Sequence, residues 1–447
     1  LSALQMPGVK LIEEHKRYYP VGEIVAPVIG LAGIDGQGQE GIEVLFDRYL
    51  TSGATKVRKR SRAGQIPIPQ RLTEPDMFAV AHGTDGTARQ GRFARKSLRT
   101  SGAQDVHLTL DIDAQYLAYR TLKKAVVASG AQAGTLVAVD VVTGEVLAMV
   151  SYPSYNPNDR RELQVQRNRV AMDQIEPGSV LKPFTVAAAL ESGSWSQGKS
   201  VDTNPGYIKL SKGVHFADTE NHGVMSLSEV LTRSSQVAAA KLALSMHPQP
   251  YMRLLKSWGF GRQTGIGLPA EAEGNLPTAF GLSKVDQAAV GFGYGCTVTA
   301  LQLAQAYSVL GNEGMLVPLR LVKGMSMQAS QRVMSRKVAR SVLSMLEQAV
   351  QHGTGRRARI DGYRVAGKTG TVHLTGRDGY EQDRYRALFA GLVPVSRPRI
   401  AMVVTIEEPN PNRYFGGVVA APVFATVARQ LLMRLRVVPD MTYASAG

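Results

Sequence analysis

Glu176-Pro177-Gly178-Ser179-Val180-Leu181-Lys182 opens an apolar segment that continues as Pro183-Phe184-Thr185-Val186-Ala187-Ala188-Ala189. A proline just inside the start of an alanine-rich run marks a helix N-terminus, and the spacing predicts a helix over 179–192. Ser179 and Lys182 then project from one face, where their side chains can meet. A serine hydroxyl is a weak nucleophile until a base takes its proton. Lysine acts as that base only when burial or a second cation keeps it neutral. The free N–H groups and partial positive charge of a helix start suit a developing oxyanion. The spacing alone does not decide the matter: Ser196, Gln197, Gly198 and Lys199 repeat it in a Gly/Ser-rich turn that has no helix to align the pair.

A second segment supplies the second cation. Val365-Ala366-Gly367-Lys368-Thr369-Gly370-Thr371 reads as a buried strand and holds the one Lys-Thr-Gly of the chain. Lys368 would keep Lys182 neutral, and the hydroxyls of Thr369 and Thr371 would hold a carboxylate. The glycines would let a substrate backbone lie against the strand.

Outward from these segments the periodicity defines a domain. Ile112, Tyr116, Leu117, Tyr119, Leu122, Ala125 and Val126 mark a helix over 112–128, and residues 135–150 alternate as two strands joined at Thr143-Gly144. Further helices are expected over 227–246, opened by a Ser226/Glu229 capping box, and over 298–310, 337–351 and 421–436. Late strands fit 386–394 and 399–407. Strands at both ends with helices between predict an α/β fold of the α+β kind, one antiparallel sheet packed among helices over residues 105–447. Residues 1–104 mix short apolar runs with glycine, proline and basic clusters, and read as an irregular, strand-rich, non-catalytic module.

The chain has 447 residues, 44% of them hydrophobic and 20% charged, which excludes a fibre or a disordered polymer and allows two to four domains. Lys and Arg number 52 against 36 Asp and Glu, a formal net charge of +16. Half of that surplus lies in residues 52–100, where eleven Lys/Arg face only Glu74, Asp76 and Asp85. Such runs are usually solvated faces, so nucleic acid is not expected as a partner. The single cysteine, Cys296, forbids an intrachain disulfide. The eight histidines lack metal-ligand spacing, and no metal or cofactor is expected. No window of 18 apolar residues stands out as a membrane span. The start at Leu1 rather than Met suggests a natural beginning further upstream, where an anchor would lie.

In the order Ser-x-x-Lys, Ser-x-Asn, Lys-Thr-Gly, the chain resembles the penicillin-binding proteins and serine β-lactamases. Ser154-Tyr155-Asn156 matches the middle element literally but precedes the nucleophile. Ser234-Ser235-Gln236 fits the order, with Gln236 where the family has asparagine. Arg17-Tyr18-Tyr19-Pro20, Gly22-Glu23, Asp35 to Glu43 and Phe46-Asp47 look like the N-terminal pedestal of class B, monofunctional members. Ser151 to Pro157, Arg167-Asn168-Arg169, Gly293-Tyr294-Gly295 and Tyr414-Phe415-Gly416-Gly417 look most like the division type, the penicillin-binding protein 3 group. The basic stretch at 73–100, and threonine where the division enzymes commonly have Lys-Ser-Gly, depart from that pattern.

The resemblance implies a serine D,D-transpeptidase that cross-links peptidoglycan stem peptides and is acylated by β-lactams. Ser179 would be the nucleophile, Lys182 its base and Ser234 a proton relay, with Gln236 and Lys368 completing the catalytic group. Thr369, Gly370, Thr371, Tyr414 and Phe415 would line the substrate cleft, and the backbone N–H groups of Ser179 and Thr371 would hold the oxyanion. Read by residue type alone, Tyr414 and Phe415 are equally strand-end core aromatics, Ser234 an N-cap, His373 a satisfied strand residue near the cleft and Tyr294 a turn aromatic under its floor. The family likeness also implies a tether to the inner membrane with the catalytic domain in the periplasm, and a membrane glycan polymerase and septal division proteins as partners. A β-lactam hydrolase or sensor of the same fold, or a catalytically silent cell-wall scaffold, are the alternatives.

Overall fold

The computed structural model describes residues 17–50, 105–159, 167–211, 213–325, 329–376 and 379–441. Helix α1 spans Ile112–Ala128, as the periodicity predicts. The Asp111 carboxylate opens it by accepting from the N–H groups of Asp113 and Ala114 at 3.1 and 3.0 Å. A hairpin follows, β1 at Ala133–Asp140 and β2 at Val146–Tyr152. The middle of the domain contains α2 at Lys182–Glu191, a small hairpin of β3 (Tyr207–Ser211) and β4 (Val214–Ala217), α3 at Leu227–Arg233 and α4 at Gln236–Leu244. Then come α5 at Ala300–Gly311, α6 at Arg336–Gln351, β5 at Ala366–Gly376, β6 at Gly379–Val393, β7 at Ile400–Glu407 and α7 at Ala421–Arg434.

Five strands form one antiparallel sheet in the order β2-β1-β7-β6-β5, so the first hairpin pairs with the last strand, from Ala133 opposite Glu407 to Asp140 opposite Ile400. Successive residues of a strand point to opposite faces. Val137, Val139, Leu388, Ala390, Ala401 and Val403 therefore join the core shared with α2, α5 and α6. Leu136, Ala138, Phe389, Met402 and Val404 face α1 and α7 on the other side. The sheet is covered on both faces, which is why β1 and β7 read as nearly unbroken apolar runs. β5 stands at the sheet edge and packs against the turn that carries Ser179.

The structure differs from the sequence expectations in four places. The helix expected from 179 starts as a 3₁₀ turn at Gly178–Val180 and becomes α-helical only at Lys182. The single helix expected over 227–246 is broken at Ser234 and Ser235. Residues 17–50 hold short helical turns at Gly22–Ile24, Ala26–Ile29, Gly41–Leu45 and Asp47–Leu50, not strands. Their short apolar runs each need one inward face: Val28, Ile42 and Phe46 share the core of Val137 and Met149. The basic stretch at 52–100 lies outside the described residues. Finally, Gly416–Arg434 is long and apolar enough to cross a membrane, with a mean hydropathy of 1.4. Here it is a core helix, Phe424 meeting Phe389 edge to face at 4.8 Å.

Candidate active site

The Ser179 turn is held on several sides. The Gly178 N–H donates to the Gly293 carbonyl at 2.9 Å, and the Tyr307 hydroxyl donates to the Val180 carbonyl at 3.0 Å. Three residues upstream, one carboxylate oxygen of Glu176 accepts from the Gly295 N–H and from the Tyr380 hydroxyl, both at 3.0 Å. Side chains at i and i+3 eclipse in a 3₁₀ turn, so Ser179 and Lys182 enter the same space. Nearly every residue of α2 is buried, and Lys182 is carried into the interior with 0% of its surface exposed.

Ser234 comes from the break between α3 and α4, at φ 64° and ψ 36°, a left-handed conformation that costs a non-glycine residue about 1 kcal/mol. Ser235, not Ser234, is the N-cap of α4, its hydroxyl accepting from the Ala238 N–H at 2.9 Å. That leaves the Ser234 hydroxyl free to donate to Ser179 Oγ at 3.0 Å, while Lys182 Nζ donates to Ser234 Oγ at 3.2 Å and to its carbonyl. The result is a chain, Lys182 to Ser234 to Ser179. Among the described residues no hydrogen bond joins Lys182 to Ser179 directly.

The Ser235-Gln236-Val237 backbone is gathered by Asp218, a residue that the sequence reading passed over. Ser235 Oγ donates to one carboxylate oxygen at 2.5 Å, and the N–H groups of Gln236 and Val237 donate to the other at 2.5 and 3.2 Å. The Gln236 side-chain amide is half-buried and has no hydrogen bond within the described residues. Lys182 is thus held by Ser234 and not by that amide.

β5 brings Lys368 beside this group, 1% exposed, its ammonium donating to the Thr369 carbonyl at 3.1 Å. Burial pushes Lys368 down to about 7. Lys182 is held well below the usual lysine range by burial first and Lys368 second, with Asp218 opposing them. Thr369 shares a hydroxyl hydrogen bond with Thr354, another residue without a sequence signal, and Thr371 Oγ1 accepts from the Gly416 N–H at 3.1 Å. The glycines of β5 let the strand pack closely on its neighbours. A Cβ on Gly370 would meet Val180 at 3.2 Å and the Pro177 carbonyl at 3.3 Å, and one on Gly367 would meet the Phe389 ring at 2.5 Å. Their small size seats the strand against the Ser179 turn and the sheet's own core.

Tyr414 and Phe415 are not core aromatics. Tyr414 stacks on Tyr385 at 3.8 Å and on Phe415 at 4.3 Å, and Phe415 is 55% exposed. His373 extends the row, 4.7 Å from Tyr385, with Nδ1 paired to the Glu381 carbonyl at 3.0 Å. The row adjoins Thr371 through Gly416. Tyr294 lies between Phe292 and Tyr380, bracing the Glu176 side of the turn. The two decoy motifs lie elsewhere. Ser154 donates to the Glu23 carbonyl at 2.6 Å and Tyr155 to the Ala26 carbonyl at 3.1 Å, tying down residues 17–50. Ser196 and Lys199 close an exposed turn.

Residues 134–429 match the penicillin-binding protein transpeptidase domain family. The chain is 38% identical to the probable peptidoglycan D,D-transpeptidase PbpC of Pseudomonas aeruginosa, over 98% of this chain and 74% of that protein. It is 36% identical to the peptidoglycan D,D-transpeptidase FtsI of Escherichia coli K12, over 98% of this chain and 71% of that one. Among solved structures it is similar to penicillin-binding protein 3 of Mycobacterium tuberculosis in complex with aztreonam, with a TM-score of 0.77 and 30% identity over 95% of this chain and 92% of the other.

Proposed function

The chain belongs to the penicillin-binding protein transpeptidase family, and from that premise we propose that it is a peptidoglycan D,D-transpeptidase that works through an acyl-enzyme on Ser179. The observation that carries the site assignment is the hydrogen-bonded chain from the buried Lys182 through Ser234 to Ser179, with Lys368 beside it. Hydroxyl protons rotate freely, so Ser179 can donate to Ser234 Oγ while Ser234 donates to a neutral Lys182. As the Ser179 oxygen attacks the carbonyl between the two terminal D-alanines of a stem peptide, its proton passes along that chain to Lys182. The backbone N–H groups of Ser179 and Thr371 receive the oxyanion, a contribution worth about 10²–10³ in rate. Lys182 returns the proton through Ser234 to the departing D-alanine nitrogen. An amine from a neighbouring stem then attacks the acyl carbonyl, its proton travels back by the same path, and the Ser179 hydroxyl is restored. A β-lactam acylates Ser179 in the same way, but its leaving nitrogen stays tethered, which blocks the approach of the second amine.

In this reading Thr369, Gly370 and Thr371 form one wall of the cleft and Tyr414 with Phe415 the apolar one. Gln236, whose amide has no hydrogen bond among the described residues, reaches for the substrate backbone. Residues 105–447 are the catalytic domain and 1–104 the non-catalytic pedestal. The family likeness extends the reading to a cell-envelope enzyme facing the periplasm, anchored by a segment N-terminal to this chain, with a glycan polymerase and septal proteins as partners.

Incubation with a fluorescent penicillin followed by intact-mass and peptide mapping tests the assignment. One adduct on the peptide containing Ser179 is expected, lost in Ser179→Ala. Label retained in that variant removes Ser179 from the mechanism. Release of intact enzyme within seconds would identify a hydrolase instead, and no adduct with several β-lactams a silent scaffold.

A further inference from the structure

The hairpin of β3 and β4 carries none of the three motifs, yet it meets the site. Its inward residues Ile208, Leu210 and Phe216 pack on Ala239 and Ala240 of α4 and on Phe292, with the Phe216 and Phe292 rings 4.8 Å apart. The chain leaves β4 at Ala217, and the next residue is Asp218, whose own N–H is tied back to the Gly206 carbonyl at 3.0 Å. The docked hairpin therefore delivers one carboxylate to the start of α4. That carboxylate takes three hydrogen bonds from Ser235, Gln236 and Val237, the residues immediately after Ser234. Ser234 alone would relax from its left-handed backbone, and a helix running straight through 227–246 would carry its hydroxyl away from Ser179.

The charge matters as much as the hydrogen bonds. Two charged groups bear on the Lys182 ammonium: Lys368 from β5, which disfavours its protonated form, and Asp218 from the hairpin, which favours it. We propose that Asp218 is a positioning residue of the acylation reaction, holding the Ser234 loop in the conformation that links Lys182 to Ser179 and acting as the counter-charge to Lys368. The proposal rests on the transpeptidase reading above. Burial and Lys368 make Lys182 neutral enough to accept a proton; the carboxylate keeps it basic enough to hold one while the tetrahedral intermediate exists.

The second-order rate of acylation by a fluorescent penicillin is measured against pH for the full chain and for Asp218→Asn, Asp218→Ser and Ser235→Ala, with a melting curve for each. In Asp218→Asn the rate at the parent's optimum is expected to fall about tenfold to a hundredfold. Its acid limb moves to lower pH, because Lys182 loses the group that favours its charged form. Asp218→Ser keeps an acceptor at the α4 start without the charge, so it reports the same limb shift if the asparagine variant does not fold. Ser235→Ala cuts one of the three hydrogen bonds to the Asp218 carboxylate, along with the α4 cap to the Ala238 N–H, and keeps the charge, so it slows acylation with the limb in the parent's place. A limb unmoved in both neutral Asp218 variants overturns the proposal even if their rates fall. A parent that takes no label at Ser179 is a different failure, that of the transpeptidase reading.

Discussion

Ser234 occupies a backbone region that glycine enters freely and serine does not, and it does so while bridging Ser179 and the buried Lys182. Strain and relay can be separated. Ser234→Gly relieves about 1 kcal/mol of backbone cost, so its melting temperature should equal or exceed that of Ser234→Ala, which keeps the strain. Both variants should lose acylation by about 10²–10⁴ in rate, the usual contribution of a proton-transfer group; normal labelling in either would remove Ser234 from the proton path. Lys368 makes a stability prediction. Its folded pKa, near 7, lies below the ordinary lysine value of 10.5, so the unfolded chain binds more protons between those limits. Stability therefore rises with pH from about 7 toward 10.5, and the cost of burying the charge is fully present below 7. Lys368→Met should raise the melting temperature most at or below pH 7, gain less at pH 10, and acylate poorly at every pH. A gain independent of pH would contradict the buried, depressed lysine.

At the scale of elements, the site depends on how β5 seats against the Ser179 turn. Gly178 has φ +53°, and a Cβ there would fall 2.4 Å from Val372 Cγ2 on β5. Gly178→Ala must strain the turn or push the strand edge away, so a destabilisation of about 1–3 kcal/mol is expected in chemical denaturation. Penicillin acylation should fall further than the melting temperature alone accounts for, since Ser179 and Thr371 would no longer face each other in register. Unchanged acylation would show that this contact does not set the site. The elements themselves were largely legible. α1 and α6 follow from 3.6-residue periodicity, the first hairpin and β7 from apolar runs of strand length, and the Ser226/Glu229 capping box is formed. The break after α3 was only half legible: Leu231-Thr232-Arg233-Ser234-Ser235-Gln236-Val237 holds no glycine or proline to stop a helix, and the N-cap reading of Ser234 fell one residue short of the serine that caps α4. At the break the Asp218 carboxylate, one residue past β4, takes the Ser235 hydroxyl and the first two N–H groups of α4.

Over the whole molecule, residues 17–50 pack into the catalytic domain's core rather than beside it. Phe46 is fully buried and shares one core with Val28, Ile42, Val137 and Met149, and Gln115 of α1 donates to the Ile24 carbonyl at 2.8 Å. Phe46→Ala should cost about 3–5 kcal/mol, and the transpeptidase domain should melt with it in one transition. Two transitions, only the smaller one moved by the substitution, would mean that the segment folds independently. What the sequence determined by itself is the set of things neighbours along the chain decide: which residues share a helix face, which alternate across a sheet, and that Ser179 and Lys182 project together. The tertiary structure decided which distant groups complete them, Ser234 at a strained break, Asp218 from a hairpin, Thr354 and the row from His373 to Phe415. Hydrogen bonds and Coulomb forces act through space, over a few ångströms, so partners far apart in the chain leave no periodic trace in it.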